Sequence, residues 1–335
     1  MATNTTGRQP HANICDFKVG NKYGGIYICK QHVMKVAKTG SQYIDMVAVD
    51  KTGEIGCKVW SMPMGFNPDE IVDGDFIALV MLVEEYQGKL QGKVENIKIV
   101  TPDMHNQFDK SEVVPVAPEP ANIMWNDMMF IIQEMKNEQL KKLCMNITEE
   151  QKEGYLYSPG AKSMHHATVS GLLHHTTGML KLANAMVDLY PSVNADLLMT
   201  GIILHDVCKI REFSLGPVGL CTDYSTEGKL IGHITMGVSY VERKCLELGI
   251  DDELRIMLMH MIASHHGQPE YGSPVRPMFI EAFLLNAIDN IDAKVYMCNE
   301  ATKSIEPGTF SEKMFGLDNV QLYKPKFPYS DIKEE

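Results

Sequence analysis

Nowhere does the sequence hold an unbroken run of about 18 apolar residues, the length a bilayer span requires. Its start, M-A-T-N-T-T-G-R-Q-P-H, has neither a basic stretch nor an apolar one, so no export signal is expected. Paired cysteines are missing as well. The eight present, at positions 15, 29, 57, 144, 208, 221, 245 and 298, stand singly, without C-x-x-C spacing or the density of a disulfide scaffold. These absences predict a soluble cytoplasmic protein with reduced thiols and no membrane partner. Surplus positive charge is absent too. A net charge of −12 and a pI near 5.5 exclude attachment to nucleic acid through bulk charge, while leaving room for a local basic groove. Repeats and low-complexity tracts do not occur.

What is present divides along the chain. With 335 residues, 44% of them hydrophobic, the chain has enough material for two domains with ordinary cores. From Tyr23 to Val100, short β-rich runs alternate with turn signals, which predicts five strands closed into a small barrel. The tight turn Asp50-Lys51-Thr52-Gly53 and the Asp73-Gly74-Asp75 signal before a buried strand resemble an OB-fold, assigned to residues 1–100 as a nucleic-acid-binding domain. Residues 101–120 carry prolines and little periodicity and are expected to be a linker. Helical patterns such as G-L-L-H-H-T-T-G-M-L-K-L-A-N-A-M follow over 121–306, predicting an α-helical bundle, and an irregular tail is expected over 307–335. The fold class expected is therefore multidomain, an all-β barrel followed by an all-α bundle.

Histidine is unevenly distributed: nine of twelve lie between His165 and His266, which points to a metal site there. Positions 172, 175, 179, 182 and 186 follow helical spacing, so His175 sits within a buried stripe. Taken alone, such a histidine would usually be a core residue satisfied by a carbonyl. It has company. His205-Asp206 closes the apolar run L-L-M-T-G-I-I-L, where a buried carboxylate requires a cation or basic partner. His233, the pair His265-His266 and Asp289 lie on or beside other apolar helical segments. Imidazole and carboxylate ligands of this kind suit Zn, Mn, Fe or Ni better than Ca. His260 reads as structural, and Asp292, on the face of Asp289, either orients a ligand or is an ordinary hydrogen-bonded carboxylate.

The order His175, His205-Asp206, Asp289, with H-D-x-x-K at 205–209, resembles the HD-domain metal-dependent phosphohydrolases, an all-α superfamily. That resemblance assigns His233 with His265 or His266 to a second ion. The family usually has glycine before the lysine, where this chain has Cys208. A longer likeness runs through H-H-A-x-x-x-G-L-L-x-H-T at 165–176, S-H-H-G-x-x-E-Y-G-S-P at 264–274, I-D-N-I-D-A-K at 288–294 and F-S-E-K-M-F-G-L-D-N-V-Q-L-Y-K-P in the tail. These segments are similar to the YhaM-type 3′-to-5′ exoribonucleases, although Val320 stands where that family often has a basic residue.

The resemblance implies a 3′-to-5′ exoribonuclease using two Mn ions, with Fe, Ni, Zn or Co as alternatives, and releasing nucleoside 5′-monophosphates from single-stranded RNA or, as a second candidate, DNA. Asp206 would bridge the ions, and Lys209, one turn beyond His205, would meet a phosphate oxygen. His165 and His166 either contact substrate or cap the first ligand helix, and Tyr271 lies in a turn close enough to line a substrate channel. In the barrel, Tyr23, Tyr27, Tyr43, Trp60, Phe66 and Tyr86 are candidates for stacking bases, of which about a third are expected to do so, with Trp60 and Tyr86 foremost. Self-association is expected, since a closed channel enforces end-specific cleavage. Two other readings stay open: an HD phosphohydrolase of a small nucleotide, and a nucleic-acid-binding protein without catalysis. The barrel weighs against the first, and the complete ligand row against the second.

Overall fold

The computed structural model describes residues 11–162, 166–216, 218–303 and 305–327. Over these the chain divides into two compact units, residues up to 116 together with 215–222, and residues 117–214 together with 223 onward.

The first unit is a barrel of five strands, β1 (Lys22–Val36), β2 (Gln42–Asp50), β3 (Gly53–Val59), β4 (Phe76–Tyr86) and β5 (Lys89–Ile99). It closes in the order β1-β2-β3-β5-β4, with β3 and β5 parallel and all other neighbours antiparallel, the OB-fold arrangement. Closure leaves no free sheet edge. The expected alternation is seen in β2, where Ile44, Met46 and Ala48 point inward to meet Tyr27, Ile77, Leu79, Met81 and Ile97. β1 serves two partners. Its first half pairs with β4 and its second with β2, and an irregularity between Cys29 and Gln31 bends the strand between them.

The turn between β2 and β3 falls at Lys51-Thr52, held by Asp50. Its Oδ1 accepts from the Thr52 amide at 2.7 Å, the Thr52 hydroxyl at 2.6 Å and the Gly53 amide at 3.0 Å. Part of the stretch expected as a linker is packed rather than extended. Phe108 meets Phe76 edge-on with ring centres 5.0 Å apart, and Val113 and Val114 are buried.

The second unit holds helices α1 (Ala121–Glu134), α2 (Glu138–Glu150), α3 (Lys152–Tyr157), α4 (Gly171–Leu189), α5 (Ala195–Leu204), α6 (Lys209–Glu212), α7 (Thr226–Leu230), α8 (Gly232–Leu248), α9 (Asp252–Ser264) and α10 (Ile280–Lys303). Between α6 and α7 the sequence forms a two-stranded ribbon, β6 (Phe213–Leu215) with β7 (Cys221–Tyr224), whose residues 215–222 group with the first unit. α5 is central because it has no polar face: every residue from Leu197 to Leu204 is buried. Its start is set by Asn194, whose side chain accepts from the Leu197 amide at 3.1 Å. Methionines 124, 128, 135, 179, 199, 236 and 261 fill the core around it, as expected of flexible apolar side chains. Beyond α10 the tail forms single bridges, Phe310 with Tyr323 and Met314 with Val320, and its turn at Phe315–Leu317 packs on α10. Among the described residues no helix is long and apolar enough to cross a membrane.

Candidate metal centre

The last carbonyls of a helix find no partner within it. α5 and α9 resolve this in the same way, with a histidine at the C-cap. Nδ1 of His205 lies 2.8 Å from the Ile202 carbonyl oxygen, and Nδ1 of His265 lies 2.7 Å from that of Ile262. A carbonyl can only accept, so Nδ1 carries a proton, and in the neutral ring Nε2 presents the lone pair. His233, in the first turn of α8, is fixed by a carboxylate: Glu212 Oε1 accepts from its amide and its Nδ1, each at 2.9 Å. His266 donates from Nδ1 to the Tyr271 carbonyl oxygen at 2.8 Å. Four imidazoles are thus locked in the tautomer that a metal ligand requires.

Asp206 follows the α5 cap and stands among these rings. Its Oδ2 is 3.1 Å from His205 Nε2, 3.9 Å from His175 Nε2 and 2.6 Å from Lys209 Nζ. Its Oδ1 faces the other way, 3.5 Å from His233 Nε2 and 3.7 Å from His265 Nε2. From α10, Asp289 Oδ1 approaches His175 Nε2 to 3.2 Å. Ligand atoms of His175, His205 and Asp206 lie within 4.8 Å of one another, as do those of His233, His265 and His266 and those of His205, His265 and Asp289. Among the described residues, Nε2 of His205, His233 and His265 and Oδ1 of Asp206 are buried without a hydrogen-bond partner. Leaving such atoms bare costs about 1–3 kcal/mol each. A divalent cation fits the set, because imidazole nitrogen and carboxylate oxygen are its ordinary donors.

The charges are tightly coupled. Burial by itself would raise the Asp206 carboxyl, yet His205 and Lys209 hold it well below the usual range. Burial likewise opposes ionisation of Asp289, and the neighbouring His175 overrides it and pulls the carboxyl down. His175 is desolvated, but hydrogen bonds to Asp289 and Asp292 outweigh that and push it up to about 9. To act as a ligand it must shed its Nε2 proton. His265 goes the other way, driven down by burial and by His266 and His205. Lys209 is desolvated, yet Asp206 raises it and keeps it an ammonium.

Of the residues singled out in the sequence, His175, His205, Asp206, Lys209, His233, His265, His266 and Asp289 converge here. His166 is buried, with Nε2 2.8 Å from Asp292 Oδ2 and Nδ1 3.0 Å from His174 Nδ1. His165 lies outside the described residues. Tyr271 exposes its ring on a 3-10 turn, and its carbonyl anchors His266. His260 accepts from the Met278 amide at 3.1 Å. In the barrel unit Tyr27 is fully buried, whereas Trp60 is exposed and stacked on Tyr43 at 4.3 Å, and Tyr86 is exposed at the β4–β5 turn. Sequence reasoning passes over Glu212, and it places His174 on the row of Gly178 and Lys181, closer to solvent, without the contact to His166. The position of Glu212, one turn past Lys209 on α6, was the available signal.

Comparisons with known proteins bear on this arrangement. The HD domain family matches residues 172–294. The 3′-5′ exoribonuclease YhaM of Listeria welshimeri is 38% identical over 316 residues, spanning 94% of this chain and 98% of its own length. That of Bacillus subtilis is 37% identical over 314 residues, spanning 92% and 97%. Among solved structures, the second OB-fold domain of replication protein A from Methanococcus maripaludis aligns with 27% of this chain and 95% of its own, at 20% identity and a TM-score of 0.23.

Proposed function

This chain belongs to the YhaM family of 3′-5′ exoribonucleases, and from that membership we propose how its residues remove nucleotides from the 3′ end of RNA. The protein is a metal-dependent 3′-5′ exoribonuclease, a hydrolase of phosphodiester bonds. His175, His205, Asp206 and Asp289 would hold one divalent ion, and His233, His265 and His266, with Asp206 shared, would hold another. Mn is the metal we propose, and Fe, Ni, Zn and Co are compatible with the same donors. When bound, the ions supply Lewis-acid charge at a phosphate oxygen and lower the pKa of water to near neutrality.

The remaining work falls to the protein. Asp206 carries the catalytic carboxylate, and Lys209, held 2.6 Å from it, offers an ammonium to a phosphate oxygen of the strand. Acceptors at Ile202, Ile262, Glu212 and Tyr271 keep the imidazoles in register. The buried apolar faces of α4 and α5 exclude water from behind the centre. Tyr271, whose ring is exposed, flanks it on the substrate side of this reading. On the barrel, the exposed rings of Trp60 and Tyr86 give bases of a single strand something to stack on. RNA is the polymer, DNA a second substrate, and nucleoside 5′-monophosphates the products. A cytoplasmic setting suits eight cysteines that stand singly along the chain. Self-association, which would enclose the strand, is measurable by light scattering.

The observation that carries this reading is the set of buried Nε2 atoms and the Asp206 Oδ1, which converge without hydrogen-bond partners and which a cation would satisfy together. Its test is 5′-labelled single-stranded RNA incubated with protein and Mn, with and without a chelator, and resolved on a sequencing gel. A chelator-sensitive ladder shortening from the 3′ end is expected. Intact RNA with metal demonstrably bound would overturn the reading in favour of a small nucleotide substrate.

A further inference from the structure

One carboxylate beside the centre contributes no lone pair to it. Asp292 Oδ2 accepts from His175 Nδ1 at 2.7 Å and from His166 Nε2 at 2.8 Å. Because a carboxylate only accepts, both rings carry their proton on the nitrogen that faces it. His175 then directs Nε2 toward Asp206 and Asp289, and His166 is left with Nδ1 as acceptor for His174 Nδ1 at 3.0 Å. Three imidazoles and one carboxylate form a single hydrogen-bonded chain that ends at a metal ligand.

The surroundings are shaped around that chain. His166 adopts φ +52°, a left-handed conformation that side chains other than glycine seldom take, so local strain is accepted to hold its ring in place. Its carbonyl accepts from the Gly160 amide at 2.8 Å, and a Cβ on Gly171 would come within 2.0 Å of that same oxygen. Tyr296 covers the ring, with centroids 4.2 Å apart. On the other side lies Gly178, in the middle of α4. A Cβ there would sit 2.6 Å from Asp292 Oδ1. Glycine within a helix is otherwise unfavourable, so its position beside Asp292 has a specific use.

We propose that Asp292 and His166 are a positioning pair that fixes the ring and tautomer of His175 at the metal centre, with Gly178 keeping open the space the carboxylate occupies. The proposal rests on the metal centre proposed above. It gives His166 a role through Asp292 rather than through contact with the strand.

The test is binding of Mn to the metal-free full chain, followed by the electron paramagnetic resonance signal of free Mn, with thermal unfolding of each metal-free variant alongside. Partners of this kind change metal affinity by about 10–100-fold. Asp292→Asn is expected to weaken binding of one ion by that factor while two ions still bind at saturation. Gly178→Ala, which removes no hydrogen-bonding group but presses on Asp292 Oδ1, should weaken the same ion in a metal-free protein that still folds. This variant keeps the test decisive even if Asp292→Asn fails to fold. His166→Gln, whose amide can still donate to Asp292, should bind closer to wild type than His166→Ala. Unchanged Mn affinity in Asp292→Asn and Gly178→Ala would overturn the proposal. So would outright loss of one ion at saturation in Asp292→Asn, which would make Asp292 a ligand. Absence of Mn binding by the wild type would instead sink the centre itself, and the positioning role with it.

Discussion

Two buried aspartates, one in each unit, show the difference between a carboxylate that builds a fold and one that serves a cation. Asp50 in the barrel is surrounded by donors of the chain: the amides of Ile14, Thr52 and Gly53, the Thr52 hydroxyl and the His11 ring at 3.1 Å. Asp206 in the helical unit is at least as deeply buried, yet its neighbours are the Nε2 atoms of four imidazoles and an ammonium, and its Oδ1 has no donor. Burial opposes ionisation in both, and both carboxyls are nevertheless held below the ordinary range, Asp50 by His11, Thr52 and Ile14 and Asp206 by His205 and Lys209. A shared titration shift thus conceals opposite designs. Whether the lone pairs are already used is what separates them.

That contrast is sharpest in a pair of substitutions with the same chemistry. Asp206→Asn should lower RNA hydrolysis by about 10³-fold or more, roughly 4 kcal/mol of transition-state stabilisation, with the protein still folded by circular dichroism. Wild-type rates would break the contrast at once. Next in size is the response to metal. At a hundredfold excess over its Kd, Mn should stabilise the wild-type protein by about 2.7 kcal/mol in chemical denaturation, and Asp206→Asn should lose most of that gain.

Asp50→Asn should do the reverse, costing about 1–3 kcal/mol of barrel stability while leaving Mn affinity untouched. Its pH dependence follows from the sign of the shift. The folded carboxyl is depressed, so the stabilisation from Asp50 is complete above the unfolded value of about 3.9 and is lost as pH falls below it. Denaturation curves above and below about pH 4 should therefore converge for wild type and Asp50→Asn on the acid side. The smallest effect is expected at the barrel surface. Trp60→Ala should weaken single-stranded RNA binding by about 1 kcal/mol, the low end for one stacked base, and leave hydrolysis of a small phosphodiester unchanged. Equal losses on both substrates would remove the division of labour between the units.

The ligand row was legible in the sequence because His175, His205, Asp206, His233, His265 and Asp289 each close or interrupt an apolar helical pattern, where a polar residue has no reason to be unless something binds it. Their supports were harder to read. Glu212 reaches His233 across 21 residues, and His166 reaches Asp292 across 126, so neither pairing leaves a local periodicity. The five strands were visible through alternation. The double role of β1 was not, since its bend comes from an irregularity at Cys29–Gln31 that depends on which strands it pairs with. Phe108, Val113 and Val114 lie in a stretch whose prolines suggest a linker, and their burial arises from tertiary packing that composition does not express.

The histidine caps of α5 and α9 have an electrostatic consequence beyond the tautomers they set. The C-terminus of a helix carries about half a unit of negative charge from its aligned peptide dipoles, and helices of 10 and 13 residues both end at this centre. Asp206, Glu212, Asp289 and Asp292 add their own charge, balanced in part by Lys209 and His175. On the metal centre proposed above, an anionic strand end is therefore expected to be repelled until cations fill the centre, and attracted afterwards. Binding acquires an order, cation first and RNA second, and a chelator added before the strand should abolish capture as well as cleavage at that end.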